Sequence, residues 1–207
     1  LEHHYIVTGP VAEFVASDSE IPVIRDPYAS AYIRQEQKSG LVGIYEQKNV
    51  TEAWAPRGFP GWDSDSELFT ADLDRLMPWL GRALERMPVL EDAGIKRIVN
   101  GAIPHSADGP PLLGPVAGLK NFWLCCGSSF GIAQGAGCGK YLAQWMLYGD
   151  SELNMTGFDP RRFGVYADQA YMRAKGLQDY RMTYHTPLPG EELPAARNCR
   201  RSPLFET

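Results

Sequence analysis

The stretch GSSFGIAQGAGCGK, Gly127 to Lys140, has the glycine density and the closing Gly-Lys of a phosphate-binding loop. The spacing excludes that chemistry. A GxxxxGK loop followed by Ser or Thr needs glycine at 134 and a hydroxyl at 141, where the chain has Gln134 and Tyr141. A GxGxxG dinucleotide fingerprint begun at Gly135 and Gly137 needs glycine at 140, where Lys140 stands. The spacing supports something else: a strand over Phe122–Cys126, a turn at Gly127–Gly131, and a helix from about Gly131 to Leu147. N–H groups at such a helix start favour an anion or an electron-rich oxygen. Gly131, Gly135 and Gly139 recur four residues apart, so one helix face has no side-chain bulk and a flat group can lie on it. Close helix–strand packing in a core asks for the same spacing, and these residues alone leave both readings open.

The elements that must position this stretch lie upstream. HSADGPPLLGP, His105 to Pro115, reads as a stiff turn, too rich in proline for any regular element. Short strands are expected at His4–Thr8, Pro22–Arg25, Ser30–Gln35, Gly40–Glu46 and Lys96–Gly101, at the spacing of an antiparallel sheet. In the third, Ala31, Ile33 and Gln35 alternate with Tyr32 and Arg34. Leu73, Leu76, Met77, Leu80 and Leu84 give a helix over Asp72–Met87, with a kink or a break into two short helices expected at Pro78. The unbroken apolar run Phe122–Cys126 suggests a strand buried on both faces. Residues 49–66 read as a loop carrying Trp54 and Trp62, and residues 180–207 as a polar connection.

The chain has 207 residues, 44% hydrophobic and 22% charged, which allows one domain with a sizeable core and part of another. A net charge of −5 argues against nucleic acid as a partner. No apolar run approaches the roughly 20 residues that span a bilayer. Cys125, Cys126, Cys138 and Cys199 form no CxxC pair, so neither a metal site nor a disulfide framework is expected, and a reducing compartment fits. The missing initial Met and the polar end suggest a piece of a longer protein.

The order DGPPLLGPV, short turn, aromatic strand and small-residue helix resembles the end of the flavin domain in FAD-dependent amine oxidoreductases of the D-amino-acid oxidase superfamily. With the front EHHYIVTGPV and PVIRDPYASAYIRQEQKSGLVGIYE, and the later FDPRRFG, the chain resembles the dimethylglycine and sarcosine dehydrogenase family. The resemblance implies an α+β fold: an antiparallel substrate-binding sheet over 1–100, the last flavin-facing strand and helix over 101–150, and a bridge over 151–207 to an aminomethyltransferase-like half. It implies FAD, with Ser128, Ser129, Phe130, Gly131 and Ile132 at the pyrimidine end of the flavin and Asp108 and Pro111 on the facing turn. No GxGxxG followed by a ribose-holding acid is present in this sequence, so the chain alone is expected not to hold FAD stoichiometrically. Tetrahydrofolate would bind through the half that this chain does not contain.

His3 and Tyr32 match the positions where dimethylglycine-oxidising relatives place a His and a Tyr at the substrate. A small N-methyl amino acid needs its carboxylate held and its amine neutral before hydride leaves the methyl carbon; a phenol and an imidazole can do these things. Arg34, on the face of Tyr32 if the strand is regular, is a candidate carboxylate clamp or a structural ion pair. His105 could approach the flavin. His4, on the opposite face of its strand from His3, reads as structural. The electron acceptor, the choice between dimethylglycine and sarcosine, and dehydrogenase or oxidase activity are open. The expected location is the bacterial cytoplasm, in preference to the mitochondrial matrix. Two alternatives stand beside the enzyme: a non-catalytic regulatory subunit of the pyruvate dehydrogenase phosphatase type, and an inactive orphan fragment.

Overall fold

Alternating side chains build the main sheet. The computed structural model describes residues 1–54, 58–202 and 204–205. It separates into two units, Leu1–Ile103 with Tyr180–Glu191, and Pro104–Asp179 with Glu192–Thr207. The first unit holds β1 (Glu2–Pro10), a short α1 (Ala12–Ala16), β2 (Ile24–Asp26), β3 (Ala31–Glu36), β4 (Ser39–Ile44), α2 (Leu73–Arg86) and β5 (Ile95–Ala102). The strands pair in the order β2-β3-β4-β1-β5, every pair antiparallel.

In β3, Ala31, Ile33 and Gln35 are buried while Tyr32, Arg34 and Glu36 are half-buried, so the expected alternation is realised. Ala31 and Ile33 join Ile6, Val42 and Ile44 under Leu76, Trp79, Leu80 and Ala83 of α2. Asp72 caps that helix by accepting the Arg75 N–H at 3.1 Å.

Pro78 does not divide α2, contrary to expectation: Leu73–Arg86 is one helix. The reason is which side the proline takes. Pro78 is exposed, as is Asp74, whose carbonyl loses its helical donor. An interior proline costs about 3 kcal/mol. Burial of Leu76, Trp79 and Leu80 contributes roughly 1.5–3 kcal/mol each and outweighs it.

The second unit holds β6 (Leu112–Pro115), β7 (Trp123–Cys126), α3 (Gly131–Tyr148) and most of α4 (Gln169–Met182), whose last residues from Tyr180 belong to the first unit. Two expectations change here. Leu112–Pro115 is a strand, because its prolines sit before it and at its last position, leaving the ladder between Leu112↔Cys126 and Pro115↔Trp123 intact. β7 is not buried on both faces: Cys125 and Cys126 are exposed, since among the described residues the sheet has only two strands. Leu113, Leu142 and Met155 form this unit's core with Trp123, Trp145 and Phe158 around them. Residues 49–66 carry no helix or strand among those described; 55–57 lie outside them. No described helix is long and apolar enough to cross a membrane.

Candidate active site

Register places His3, Tyr5, Gly43 and Tyr32 on the sheet face opposite α2, since Tyr5 pairs with Gly43 and Gly43 with Tyr32. Gly43 has a specific task. A Cβ there would clash with the hydroxyl-bearing edge of the Tyr32 ring, so the absent side chain lets that ring lie over β4. His3 and Tyr32 then stand with ring centroids 6.3 Å apart. Tyr45 lies 4.3 Å from the His3 ring and Tyr180 6.1 Å from it. Tyr184 closes the cluster 5.3 Å from Tyr45, with the Arg25 guanidinium 4.7 Å over its ring. Burial pushes the Tyr32 phenol up to about 12, so it remains a hydrogen-bond donor at neutral pH. Arg34 reaches the same face, where its guanidinium is ion-paired with Glu36.

Behind His3 runs a buried polar chain that sequence reasoning did not find. The Tyr180 hydroxyl donates to Glu46 Oε2 at 2.6 Å and lies 3.3 Å from His3 Nδ1. Glu46 is 0% exposed; burial raises its carboxyl, opposed by the Tyr180 hydroxyl and the Arg75 charge. Arg75 Nε sits 3.0 Å from Glu46 Oε1, an ion pair outside hydrogen-bond geometry, and Nη1 sits 3.7 Å from Glu2 Oε2. Arg75 also donates to Thr51 Oγ1. Asn100 donates to Glu2 at 2.9 Å and to the Thr70 carbonyl at 3.0 Å.

His4 is structural, as expected. Arg75 Nη2 lies 2.9 Å from its Nδ1, and the Asp72 N–H 3.2 Å from its Nε2. A charged ring would set hydrogens against both donors. Burial first, then the Arg75 charge, lowers its pKa from 6.5 to about 4. The folded state therefore binds this proton less readily than the unfolded chain. The contribution is complete above 6.5 and is lost as pH falls from there towards 4. It amounts to about 3 kcal/mol. Glu46 titrates with the opposite sign, so the measurement compares wild type with His4→Gln, which leaves Glu46 in place. Urea unfolding between neutral and acidic pH should show a steeper loss in the wild type; equal slopes would refute the assignment.

In the second unit, α3 begins without a side-chain cap at Phe130. Ser128 Oγ donates to Gln134 Oε1 at 2.8 Å, and Ser129 Oγ donates to the Pro104 carbonyl. Phe130, Gly131 and Ile132 are exposed. A Cβ added at Gly131, Gly135, Gly137 or Gly139 would meet nothing within 4 Å. Packing within the described residues does not ask for these glycines. An uncapped helix start beside an open, flat face fits the electron-rich end of an aromatic ring system. Asp108 is held by Arg162 through two contacts, at 2.7 and 2.8 Å, and so fixes the turn that Pro111 closes with its buried ring. His105 Nδ1 is 2.6 Å from Asp179 Oδ2.

The site residues thus fall into two groups: His3, Tyr32 and Arg34 on one sheet, and Asp108, Pro111 and Ser128–Ile132 in the other unit. Glu46, Arg75, Tyr45, Tyr180 and Tyr184 were missed. One signal was available, an arginine on the helix stripe Arg75–Trp79–Ala83 where an apolar residue is the rule.

Comparison with known proteins bears on this chemistry. Residues 1–145 match the family described as FAD dependent oxidoreductase, and residues 148–202 match the FAD dependent oxidoreductase central domain. Mitochondrial dimethylglycine dehydrogenase of Homo sapiens is 37% identical over 204 residues, 97% of this chain and 23% of that protein. Mitochondrial sarcosine dehydrogenase of Homo sapiens is 35% identical over 211 residues, 100% of this chain and 22% of that protein. The chain spans about a quarter of the length of these relatives. Among solved structures, L-proline dehydrogenase from P. horikoshii superposes with a TM-score of 0.58 at 20% identity, over 78% of this chain and 39% of that one. The long match over the sheet, the hairpin and the glycine helix means that this chain belongs to the FAD dependent oxidoreductase family.

Proposed function

We propose that this chain is the substrate-presenting and flavin-facing part of an oxidoreductase that demethylates an N-methylated glycine, dimethylglycine or sarcosine. One observation carries the reading: an imidazole and a phenol that keeps its proton at neutral pH stand side by side on one sheet face. The Tyr32 hydroxyl donates to the substrate carboxylate, and Arg34 adds a positive charge where it can share itself between that carboxylate and Glu36. His3 takes the proton from the substrate ammonium and leaves a neutral amine. Bound FAD would supply the hydride acceptor. The N–H groups of Ser128–Ile132 and the turn from Asp108 to Leu112 are the residues of this chain that would hold its ring. The iminium product is then hydrolysed or passed to tetrahydrofolate by a segment other than this one. The related dehydrogenases are named as mitochondrial, and the reading fits a reducing compartment, matrix or cytoplasm. The pair His3 and Tyr32 favours the enzyme over a regulatory subunit without amine chemistry.

The test needs a protein long enough to carry the whole family domain. Tyr32→Phe and His3→Ala, with flavin content intact, should slow flavin reduction by dimethylglycine about a hundredfold or weaken substrate binding. Wild-type reduction kinetics in both variants would remove the site.

A further inference from the structure

The buried chain behind His3 ends on the atom that decides what His3 can do. The Tyr180 hydroxyl has one proton. Its 2.6 Å contact is to Glu46 Oε2, and its 3.3 Å contact is to His3 Nδ1. An ionised carboxylate can only accept, so the Tyr180 proton points to Glu46. The Tyr180 oxygen then offers His3 a lone pair, and His3 Nδ1 must carry a hydrogen to meet it. In a neutral ring that hydrogen leaves the lone pair on Nε2. Glu46 is kept as an acceptor by the Arg75 guanidinium 3.0 Å from its other oxygen. Tyr180 is 0% exposed and cannot turn its hydroxyl to water.

We infer that Tyr180 is a positioning residue, oriented by the buried Glu46–Arg75 pair, which holds His3 in the Nδ1–H form so that Nε2 presents the basic lone pair to the substrate ammonium. The inference rests on the proposed amine chemistry for its purpose, though not for its geometry. In the proton transfer the ammonium N–H bond breaks, the Nε2–H bond forms, and the imidazolium is stabilised through Nδ1–H by the Tyr180 oxygen, which keeps its own proton on Glu46. No electrons change hands in this step. The arrangement has the logic of a carboxylate that orients a histidine, with a phenol inserted between the two. Tyr45, whose ring lies 4.3 Å from His3 and 5.1 Å from Tyr180, limits tilting of either ring.

The tautomer can be read directly, without turnover. Nitrogen-15 long-range correlation spectra of this chain, at a pH where the ring is neutral, should show His3 with a protonated Nδ1 and an unprotonated Nε2. Tyr180→Phe, with its fold checked by near-ultraviolet circular dichroism, should shift His3 towards the Nε2–H form; Tyr32→Phe should not. A protonated Nε2 in the wild type would overturn the inference by itself, even if Tyr180→Phe failed to fold. So would an unchanged tautomer in a folded Tyr180→Phe. In a protein carrying the whole family domain, Tyr180→Phe should slow flavin reduction by roughly tenfold to a hundredfold with flavin content unchanged. The two proposals fail separately. The Nδ1–H form without amine oxidation sinks only the proposed function, whereas amine oxidation with an Nε2–H ring sinks only the role of Tyr180.

Discussion

Arg75→Met should lower the unfolding free energy by about 3–5 kcal/mol, because it leaves buried acidic groups without their counter-charge. Arg75 is 8% exposed as a residue, and Glu46 and Glu2 are 0% and 5% exposed. Methionine fills much of the same volume, so the loss is electrostatic more than steric. A domain has roughly 5–15 kcal/mol of stability in all, so the variant should unfold at a much lower urea midpoint or fail to accumulate. Glu46→Gln in the same chain should restore part of the loss, since the neutral amide needs no cation yet still accepts the Tyr180 hydroxyl. A loss under about 1 kcal/mol for the single variant would mean that water reaches the pair and the network is not sealed.

The second large effect is expected at Gly43. Alanine there puts a methyl group where the Tyr32 ring now lies. Overpacking of this kind costs about 1–3 kcal/mol, and the ring is the softer partner because the backbone of β4 is paired on both sides, to β1 and β3. Tyr32 should therefore swing off the sheet, away from His3. Tyrosine fluorescence and the His3–Tyr32 nuclear Overhauser contacts should both change, and in a flavin-bearing protein dimethylglycine should bind markedly more weakly. Unchanged ring contacts with His3 would show that Gly43 does not set the position of Tyr32.

The sheet was legible because its information is local. Ala31, Ile33 and Gln35 alternate with Tyr32 and Arg34, and that period alone assigns the two faces. The same period separates His3 from His4 and correctly gives the second a structural place. Pro78 misled because a sequence shows that a proline interrupts a pattern but not which side of the helix its ring will take. Leu112–Pro115 misled for a related reason: proline at a strand's end removes no ladder bond that matters. Tyr180 was out of reach. It lies 177 residues from His3, in a helix whose buried residues, Tyr171, Gly176 and Tyr180, make no aliphatic stripe, and no local pattern links Tyr180 to His3. The flavin-facing role proposed for the start of α3 rests on motif order, since glycine spacing suits core packing equally well.

The open glycine face of α3 has a thermodynamic consequence for the chain that carries it. Each glycine inside a helix costs roughly 0.5–1 kcal/mol relative to alanine, through backbone freedom lost on ordering. Gly135, Gly137 and Gly139 lie in the interior of Gly131–Tyr148, and a methyl group at any of them would touch nothing. Alanine at these positions would make the helix more rigid and more readily nucleated, with no clash to set against the gain. This helix is thus weaker than its surroundings require it to be. On the proposed flavin-facing role, a bound ring would add order to this helix, so that ligand occupancy and local folding of α3 should be read as one equilibrium.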